Sequence, residues 1–473
     1  MNTSTFLGLN TALRGLLANQ MALDTTGHNI ANVNTEGYSR QRVDTQTAAP
    51  LTTPSFNGTV PGQLGTGVEV AQLARMRDNY IDATIRNQFG ATGNHSTMTQ
   101  SLQQVERIIN EPSDQGIAAA MREMFGALDR VTTHPQDMSA RSAFARAAEQ
   151  LTQRFNQVST QISAVQSQSD TRLNQTVTDI NSITTQIATL NTSIRDATYM
   201  GMQPNDLLDK RDQLMDELSS KINFSYTTDS TTNEVTLTFG TATPINIVDP
   251  LASGGTTAIT RADLDNAYGT GELTGGSAYA DEHLNITVLP GWTAKLDDLV
   301  NSIVTSFNTQ NAAGFDLTGA SGGSIFDPAG ITAATFALDP ANNIVTDPSR
   351  IAAADSWNGS GEPGNGGNAL LMAAMRNTVQ APPINDSWEG YYSTIVVSGL
   401  GSQIQESQRS QDSAEASQAA MESRRNETSG VSIDEEMTNM LRFQHAYNAS
   451  ARILTALDDS LETIIHRMGR AGL

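Results

Sequence analysis

Apolar side chains recur at alternating spacings of three and four residues through the N-terminal segment of the chain. The members of this series are Phe6, Leu9, Leu13, Leu16, Leu23 and Ile30. Such spacing predicts the a/d seam of a coiled coil, because those heptad positions face the partner helix. An ordinary amphipathic helix on a globular core is the alternative that this segment leaves open.

The C-terminal segment carries the same rhythm behind a helix-start signal, the capping box Ser432-x-x-Glu435. Its apolar members are Met437, Met440, Tyr447, Leu454, Leu461 and Ile465. Two helices of one chain that each carry an apolar face can bury those faces against each other. We therefore predict that residues 1–45 and 430–473 pair as a coiled coil, and that the leucine, isoleucine, methionine and tyrosine positions of both series form an assembly seam.

Between the two ends, the pattern predicts a mainly α fold with β insertions. Residues 75–225 and 291–429 read as a middle domain of long helices with short strands, and few glycines or prolines interrupt 140–200. Residues 46–74 are rich in Thr, Pro and Gly and predict an extended linker. Residues 226–290 contain "EVTLTF", "PINIV" and "LNITVL", which predict strands of a small β-rich outer insertion.

Composition narrows the possible partners. The net charge is −22, which disfavours nucleic acid and acidic membrane surfaces as partners, since both require basic patches. The chain has no cysteine, so disulfides, thiolate catalysis and cysteine-ligated zinc are excluded. No stretch is apolar and long enough to predict a membrane span, and no cleavable signal is visible.

Candidate chemistry is sparse. The sequence contains no HExxH, P-loop or GxSxG motif. Asp281-Glu282-His283 groups three possible metal ligands, but a solvated turn is the expected reading there. Paired carboxylates such as Asp297 and Asp298 fit solvated helix faces. We therefore expect no enzyme, no cofactor and no metal.

An abrupt helix end follows the first seam, at "NIANVNTEGYSRQRV". Its candidate residues are Asn29, Asn32, Asn34, Gly37 and Tyr38. Asn and Gly tolerate left-handed backbone, so they stop the helix and turn the chain. Tyr38 is then expected to pack back against the helix end, with the following residues extended.

This motif resembles the one that ends the first helix of bacterial flagellar axial proteins, and its Tyr38-Ser39-Arg40-Gln41 continuation is similar to the hook-associated protein 1 family. The C-terminal "GVSIDEEMTNMLRFQHAYNASARILTALDDSLETII" resembles the last helix of that family. "PNDLLDKRDQLMDELS" and "DPSRIAAA" look like its internal signatures. The resemblance spans most of the chain, and residues 226–290 match poorly.

The resemblance implies a structural protein that forms a ring of copies of itself between the flagellar hook and filament, with the terminal helices inside. Its implied partners are the hook subunit, the second junction protein, the type III export apparatus and a cytoplasmic chaperone. It would be extracellular in the flagellum, and cytoplasmic before export. The apolar stripe of the last helix is the expected chaperone site, comprising Met437, Leu454, Leu457, Leu461 and Ile464.

Two kinds of alternative stay open at this point. The chain could be another flagellar axial protein, namely the second junction protein or the hook subunit. It could instead be a secreted protein with an enzymatic or adhesive insertion.

Overall fold

The computed structural model describes residues 5–50, 65–358 and 364–468. It confirms a mainly helical fold with small antiparallel sheets. The elements, in chain order, are α1 (Thr5–Ala31), β1 (Gln41–Thr47), β2 (Val68–Arg75), α2 (Asn79–Ile109), α3 (Ile117–Thr133), α4 (Met138–Tyr199), α5 (Asn205–Lys221), β3 (Ser225–Thr228), β4 (Val235–Phe239), β5 (Ile245–Val248), α6 (Arg261–Thr270), α7 (Gly276–His283), α8 (Leu289–Ala312), α9 (Gly367–Ala374), α10 (Trp388–Tyr391), α11 (Gly399–Ser429) and α12 (Ile433–Met468).

The first and last helices pack against each other, and we call this pair the terminal hairpin. Beside it, β1 and β2 form a two-stranded antiparallel sheet that pairs Gln41 with Arg75 and Thr47 with Val68. The two described ends of the predicted linker 46–74 therefore include strand residues, because β1 ends at Thr47 and β2 begins at Val68. Residues 51–64 of that linker lie outside the described part of the chain.

Helix α4 is 62 residues long and passes through two separate hydrophobic cores. Its first half, up to Val165, packs with α3, α8 and the loops that follow α8. Its second half, from Leu173, packs with α5, the sheet β3-β4-β5, α6 and α7. The inward side chains of β4, such as Leu237, share this second core with Ile187 of α4. The predicted boundary at residue 226 therefore does not coincide with a boundary between cores.

The interpretation of residues 226–290 as β-rich is wrong for its second half. Strands end at Val248, and the predicted strand "LNITVL" is a π-helical turn, Leu284–Val288, that joins α7 to α8 in one helix. Leu284 and Val288 are buried in the first core from this helix, so tertiary packing overrides the β propensity of the segment. The role of 226–290 as an outer domain stays a prediction.

A layer of hydrogen-bonded polar side chains lies on α4 between the two cores, and we call it the polar layer. Its members are Ser169, Asp170, Arg172, Arg261, Asp265, Asp281, Glu282 and Asn285. Ser169 and Arg172 both donate to Asp281, while Arg261 donates to Asp170 and Glu282. Burial and a hydrogen bond with Asp265 raise the pKa of Glu282, whereas the charge of Arg261 lowers it.

Candidate functional site

The terminal hairpin is held by small residues of α1, which allow the two helix backbones to approach closely. A Cβ atom added at Gly8 would lie 3.3 Å from Leu457, and one at Gly15 would lie 3.4 Å from Ser450. The alanines Ala12, Ala18 and Ala22 are also buried. The contact face of α1 therefore consists largely of glycine and alanine, with leucines at its edges.

The predicted seam residues differ in how far they are buried in the structure. Those that are partly buried are Leu9, Leu16, Leu23, Ile30, Met440, Tyr447, Leu454, Leu457 and Leu461. Leu13 is 43% exposed and Met437 is 48% exposed, so neither belongs to the contact between α1 and α12. The side chains of Ile464 and Ile465 lie outside the described part. Phe443, which the predicted series omits, is partly buried in place of Met437.

Each helix of the terminal hairpin leaves a second apolar face exposed. On α1 this face comprises Leu13, Leu17 and Met21. On α12 it comprises Ile433, Met437 and Leu441. Clusters of large exposed apolar side chains mark interaction surfaces in soluble proteins. Each helix of the hairpin thus carries exposed apolar surface that its partner helix does not cover.

The helix-end motif forms a buried hydrogen-bond network around Asn29, which we call the helix-end network. The Asn29 Nδ2 donates to the Gln41 carbonyl at 2.9 Å and to Glu436 Oε2 at 3.2 Å. Its Oδ1 accepts from the Gln41 backbone N–H at 3.0 Å and from the Tyr38 hydroxyl at 2.7 Å. One side chain therefore ties the end of α1 to the start of β1 and the start of α12.

The other motif residues shape the turn. Asn32 donates its amide to the His28 carbonyl at 3.0 Å. Gly37 has a φ of +78°, a left-handed conformation that glycine adopts without a Cβ clash. The Tyr38 ring meets His28 edge to face, with ring centroids 5.5 Å apart. Asn34 is exposed.

Arg40 completes the network from the far side of the turn. Its guanidinium donates to Glu436 Oε1 at 2.7 Å and to Glu435 Oε2 at 2.9 Å. Glu436 is buried and Glu435 is exposed. The capping-box carboxylate Glu435 therefore faces water, while its neighbour carries the buried contact.

A second network, which we call the arginine–aspartate joint, fixes the segments that flank the terminal hairpin to the helical body. It comprises Asp209, Asp212 and Asp216 of α5 with Arg75, Arg77, Arg86 and Arg425. Arg75 is the last residue of β2, Arg86 lies on α2 and Arg425 lies on α11, so three elements converge on one face of α5. The Ser39 backbone N–H also donates to Asp209 at 2.9 Å.

Asp212 lies at the centre of the joint. Burial alone would raise its pKa, but the charges of Arg77, Arg75 and Arg86 outweigh burial and lower the pKa of Asp212 to about 2. Buried carboxylates with several arginine partners hold their geometry tightly, since a single missing partner leaves an uncompensated charge. The joint therefore sets how the hairpin sits on the body.

Sequence reasoning missed this joint because it assigned carboxylates on helix faces to solvent. The available signal was the spacing of Asp209, Asp212 and Asp216, which places all three on one helix face. The alternation of Arg75 and Arg77 was a second signal, because residues two apart share a strand face.

The three possible metal ligands Asp281, Glu282 and His283 contact other protein side chains in the structure. His283 stacks on Tyr279 with its Nδ1 2.8 Å from the Tyr268 hydroxyl, while Asp281 and Glu282 bind arginines in the polar layer. Across the described ranges, no group of three metal-ligand side chains comes together. Within the same ranges, no helix combines the length and apolarity that crossing a bilayer requires.

Comparison with known proteins identifies three matching family models. Residues 102–326 match the flagellar hook-associated protein FlgK helical domain. Residues 422–467 match the C-terminal region of the flagellar basal body rod FlgEFG proteins, and residues 9–38 match the flagella basal body rod protein model. The two terminal matches cover most of the hairpin.

Similar proteins match over nearly the whole chain. Flagellar hook-associated protein 1 of Bacillus subtilis is 30% identical, over 99% of this chain and 100% of its own length. Its Escherichia coli counterpart is 25% identical, over 97% of this chain and 99% of its own. The solved flagellar hook junction protein FlgK from Burkholderia pseudomallei shares the fold, with a TM-score of 0.52, 16% identity, and coverage of 73% of this chain and 98% of that one.

Proposed function

Because the chain belongs to the flagellar hook-associated protein 1 family and is a structural protein of the hook–filament junction, we propose that its copies form a ring there through the exposed apolar faces of the terminal hairpin. This proposed role is architectural. Its partners in the flagellum are other copies of the chain, the hook subunit on one side and the second junction protein on the other.

The observation that supports this proposal is the exposed apolar surface on both helices of the terminal hairpin. Each terminal helix buries one face on its partner and leaves a second apolar face exposed, at Leu13 on α1 and Met437 on α12. Two different faces on one subunit favour head-to-tail contacts, which close into rings or continue as helices. The arginine–aspartate joint then holds each body at a fixed angle to that lattice.

Before assembly, the chain is proposed to be cytoplasmic and to leave through the type III export apparatus for the extracellular flagellum. A chaperone is proposed to bind α12 at Met437, Leu454, Leu457, Leu461 and Ile464. Leu457 faces Gly8 in the hairpin, so the chaperone and α1 compete for the same side of α12. Chaperone binding would therefore keep the hairpin open until export.

The test replaces Leu13 and Leu17 together with aspartate. Both side chains are exposed, so the free energy of unfolding should change by only about 0.5 kcal/mol per site. A charge buried between subunits costs several kcal/mol. The variant should therefore accumulate and fold, yet be absent from isolated hooks, with flagellin released into the medium.

The matched control is Leu251→Asp, at a leucine that is 97% exposed in the loop after β5. It makes the same chemical change away from the hairpin and should leave filaments intact. Normal incorporation of the Leu13→Asp, Leu17→Asp variant into hooks would contradict the proposal.

A further inference from the structure

We call residues 199–204, which are the last residue of α4 and the loop that follows it, the tip. The tip exposes three large apolar side chains within four residues. Tyr199 is 68% exposed, Met200 is 75% exposed and Met202 is 56% exposed. Gly201 has a φ of +76°, which turns the chain between the two methionines. Methionine adapts to irregular surfaces, and tyrosine combines a large apolar ring with a hydroxyl donor, so the set is typical of an interface.

A wide groove lies beside the arginine–aspartate joint, and we call it the joint groove. It encloses about 1170 Å³ between the turn after α1, the C-terminal half of α5, the end of α11 and the start of α12. Val33, Tyr38, Phe89 and Val431 supply apolar surface within it. Its size and mixed lining suit a protruding loop with apolar side chains.

Charge limits what the groove accepts. Its three arginines, Arg40, Arg77 and Arg425, already pair with carboxylates. Glu36, Glu217, Glu422 and Glu427 also line it, and they form no ion pair within the described ranges. A second copy carries a net charge of −22, so most of its surface is repelled there. The tip sequence "YMGMQP" has no charge, and the Tyr199 hydroxyl donates to carboxylates.

The tip and the α5 side of the groove lie at opposite ends of α5. Both belong to α5 and its preceding loop, and the residues from Met202 to Asp216 span about 20 Å along the helix direction. Both nevertheless adjoin the start of β1, because Asn205 next to the tip binds Gln41, and the preceding residue Arg40 lines the groove. Hairpins that pack side by side would therefore bring the tip of one copy to the groove of the next.

We propose that the tip, residues 199–204, docks into the joint groove of a neighbouring copy. The inference rests on the proposed ring assembly and adds a second, head-to-tail contact at the level of the joint. Such a contact uses different surfaces on the two copies, as ring closure requires. It also lets the ring be held by the body as well as by the terminal helices.

The chain has no cysteine, so introduced thiols report proximity without background. We would make Met200→Cys with Glu427→Cys, isolate hooks and filaments, oxidise them and resolve the chain without reductant. The expected result is a ladder of cross-linked oligomers. Leu251→Cys with Glu427→Cys, and each single variant, should give monomer only. Monomer from the Met200 pair, in hooks that contain the chain, would overturn the docking but not the proposed junction role.

A second experiment adds a negative charge to the tip and then replaces negative charges of the groove with positive ones, and it measures the amount of chain in isolated hooks. Met200→Glu adds a carboxylate to the tip and should reduce the amount of chain in isolated hooks at least tenfold. Adding Glu217→Lys and Glu427→Lys to that variant should restore it, while Leu251→Glu should have no effect. Incorporation of Met200→Glu at the wild-type level would overturn the docking. Absence of the wild-type chain from isolated hook–filament junctions would instead overturn the proposed function.

Discussion

The hydroxyl of Tyr38 donates a 2.7 Å hydrogen bond to the side-chain oxygen of Asn29, nine residues earlier in the chain. This bond closes the turn after α1 and leaves the Asn29 amide directed at Gln41 and Glu436. The helix stop seen in the sequence is therefore also the point where both termini are fastened together.

Replacing Asn29 with alanine should strongly destabilise the terminal hairpin. It removes four hydrogen bonds and leaves the backbone groups of Gln41 and the carboxylate of Glu436 without this partner. Unsatisfied buried groups cost about 1–3 kcal/mol each, so we expect a loss of about 2–4 kcal/mol in chemical denaturation. Asn34→Ala, at an exposed asparagine of the same turn, is the control and should change little. Equal stability of the two variants would show that the network contributes nothing.

Glutamine at Glu436 and at Glu435 should have different effects, although both carboxylates contact Arg40. Glu436 is buried and also accepts from Asn29, so Glu436→Gln should cost about 1–3 kcal/mol of unfolding free energy. Glu435 is exposed, and its pair with Arg40 is worth at most about 1 kcal/mol. Thermal unfolding of both single variants tests this, and the reverse order would contradict the assignment of the buried contact.

Acid should weaken the joint through Asp212. Its pKa is about 2 in the folded chain and 3.8 ordinarily, so the unfolded chain binds the proton first as pH falls. The linkage supplies about 2–3 kcal/mol of stability above about pH 5, and this is lost as the pH falls from about 5 to about 2. Asp212→Asn should be less stable at pH 7 by about 3–5 kcal/mol, because three arginines lose a buried partner. Its stability should also fall less steeply below pH 5, and an unchanged slope would refute this account.

Raising the pH should destabilise the polar layer, because Glu282 then loses the proton that it holds in the folded chain. The folded state raises the pKa of Glu282 above its ordinary 4.5, so above about pH 5 the folded chain keeps a proton that the unfolded chain releases. Stability should therefore fall as pH rises towards and beyond neutrality, by up to about 1.4 kcal/mol per unit. Unfolding at pH 5.5 and pH 7.5 should show this fall in the wild type and a smaller one in Glu282→Gln. Glu123→Gln, at an exposed carboxylate, should behave as wild type.

The pairing of the terminal helices could be predicted from sequence, but their contact face could not. The periodic series included Leu13 and Met437 because both are hydrophobic and have the right spacing, but both are exposed. The actual face is built around Gly8 and Gly15, because two helices approach most closely where side chains are smallest. On a helix with apolar residues on several sides, spacing alone does not say which side faces the partner within one chain.

The joint and the polar layer show a different limit of sequence reasoning. Asp212 and Arg86 are 126 residues apart, and only tertiary packing brings them within 3.2 Å. The π-helical turn at Leu284–Val288 likewise depends on burial in the first core, against its β-branched sequence. Strong local signals, such as the turn at Gly37, depend on few distant residues and could be recognised in advance.

Helix α4 runs for 62 residues, about 93 Å, without a break from one core into the other. Twist applied to the terminal hairpin reaches this rod through α5, which packs along the second half of α4. Buried apolar side chains hold the rod in both cores, and around Ser169 the buried ion pairs of the polar layer take their place. A single rod shared by both cores would carry torque from one core to the other, so that neither core can turn about the helix axis without the other.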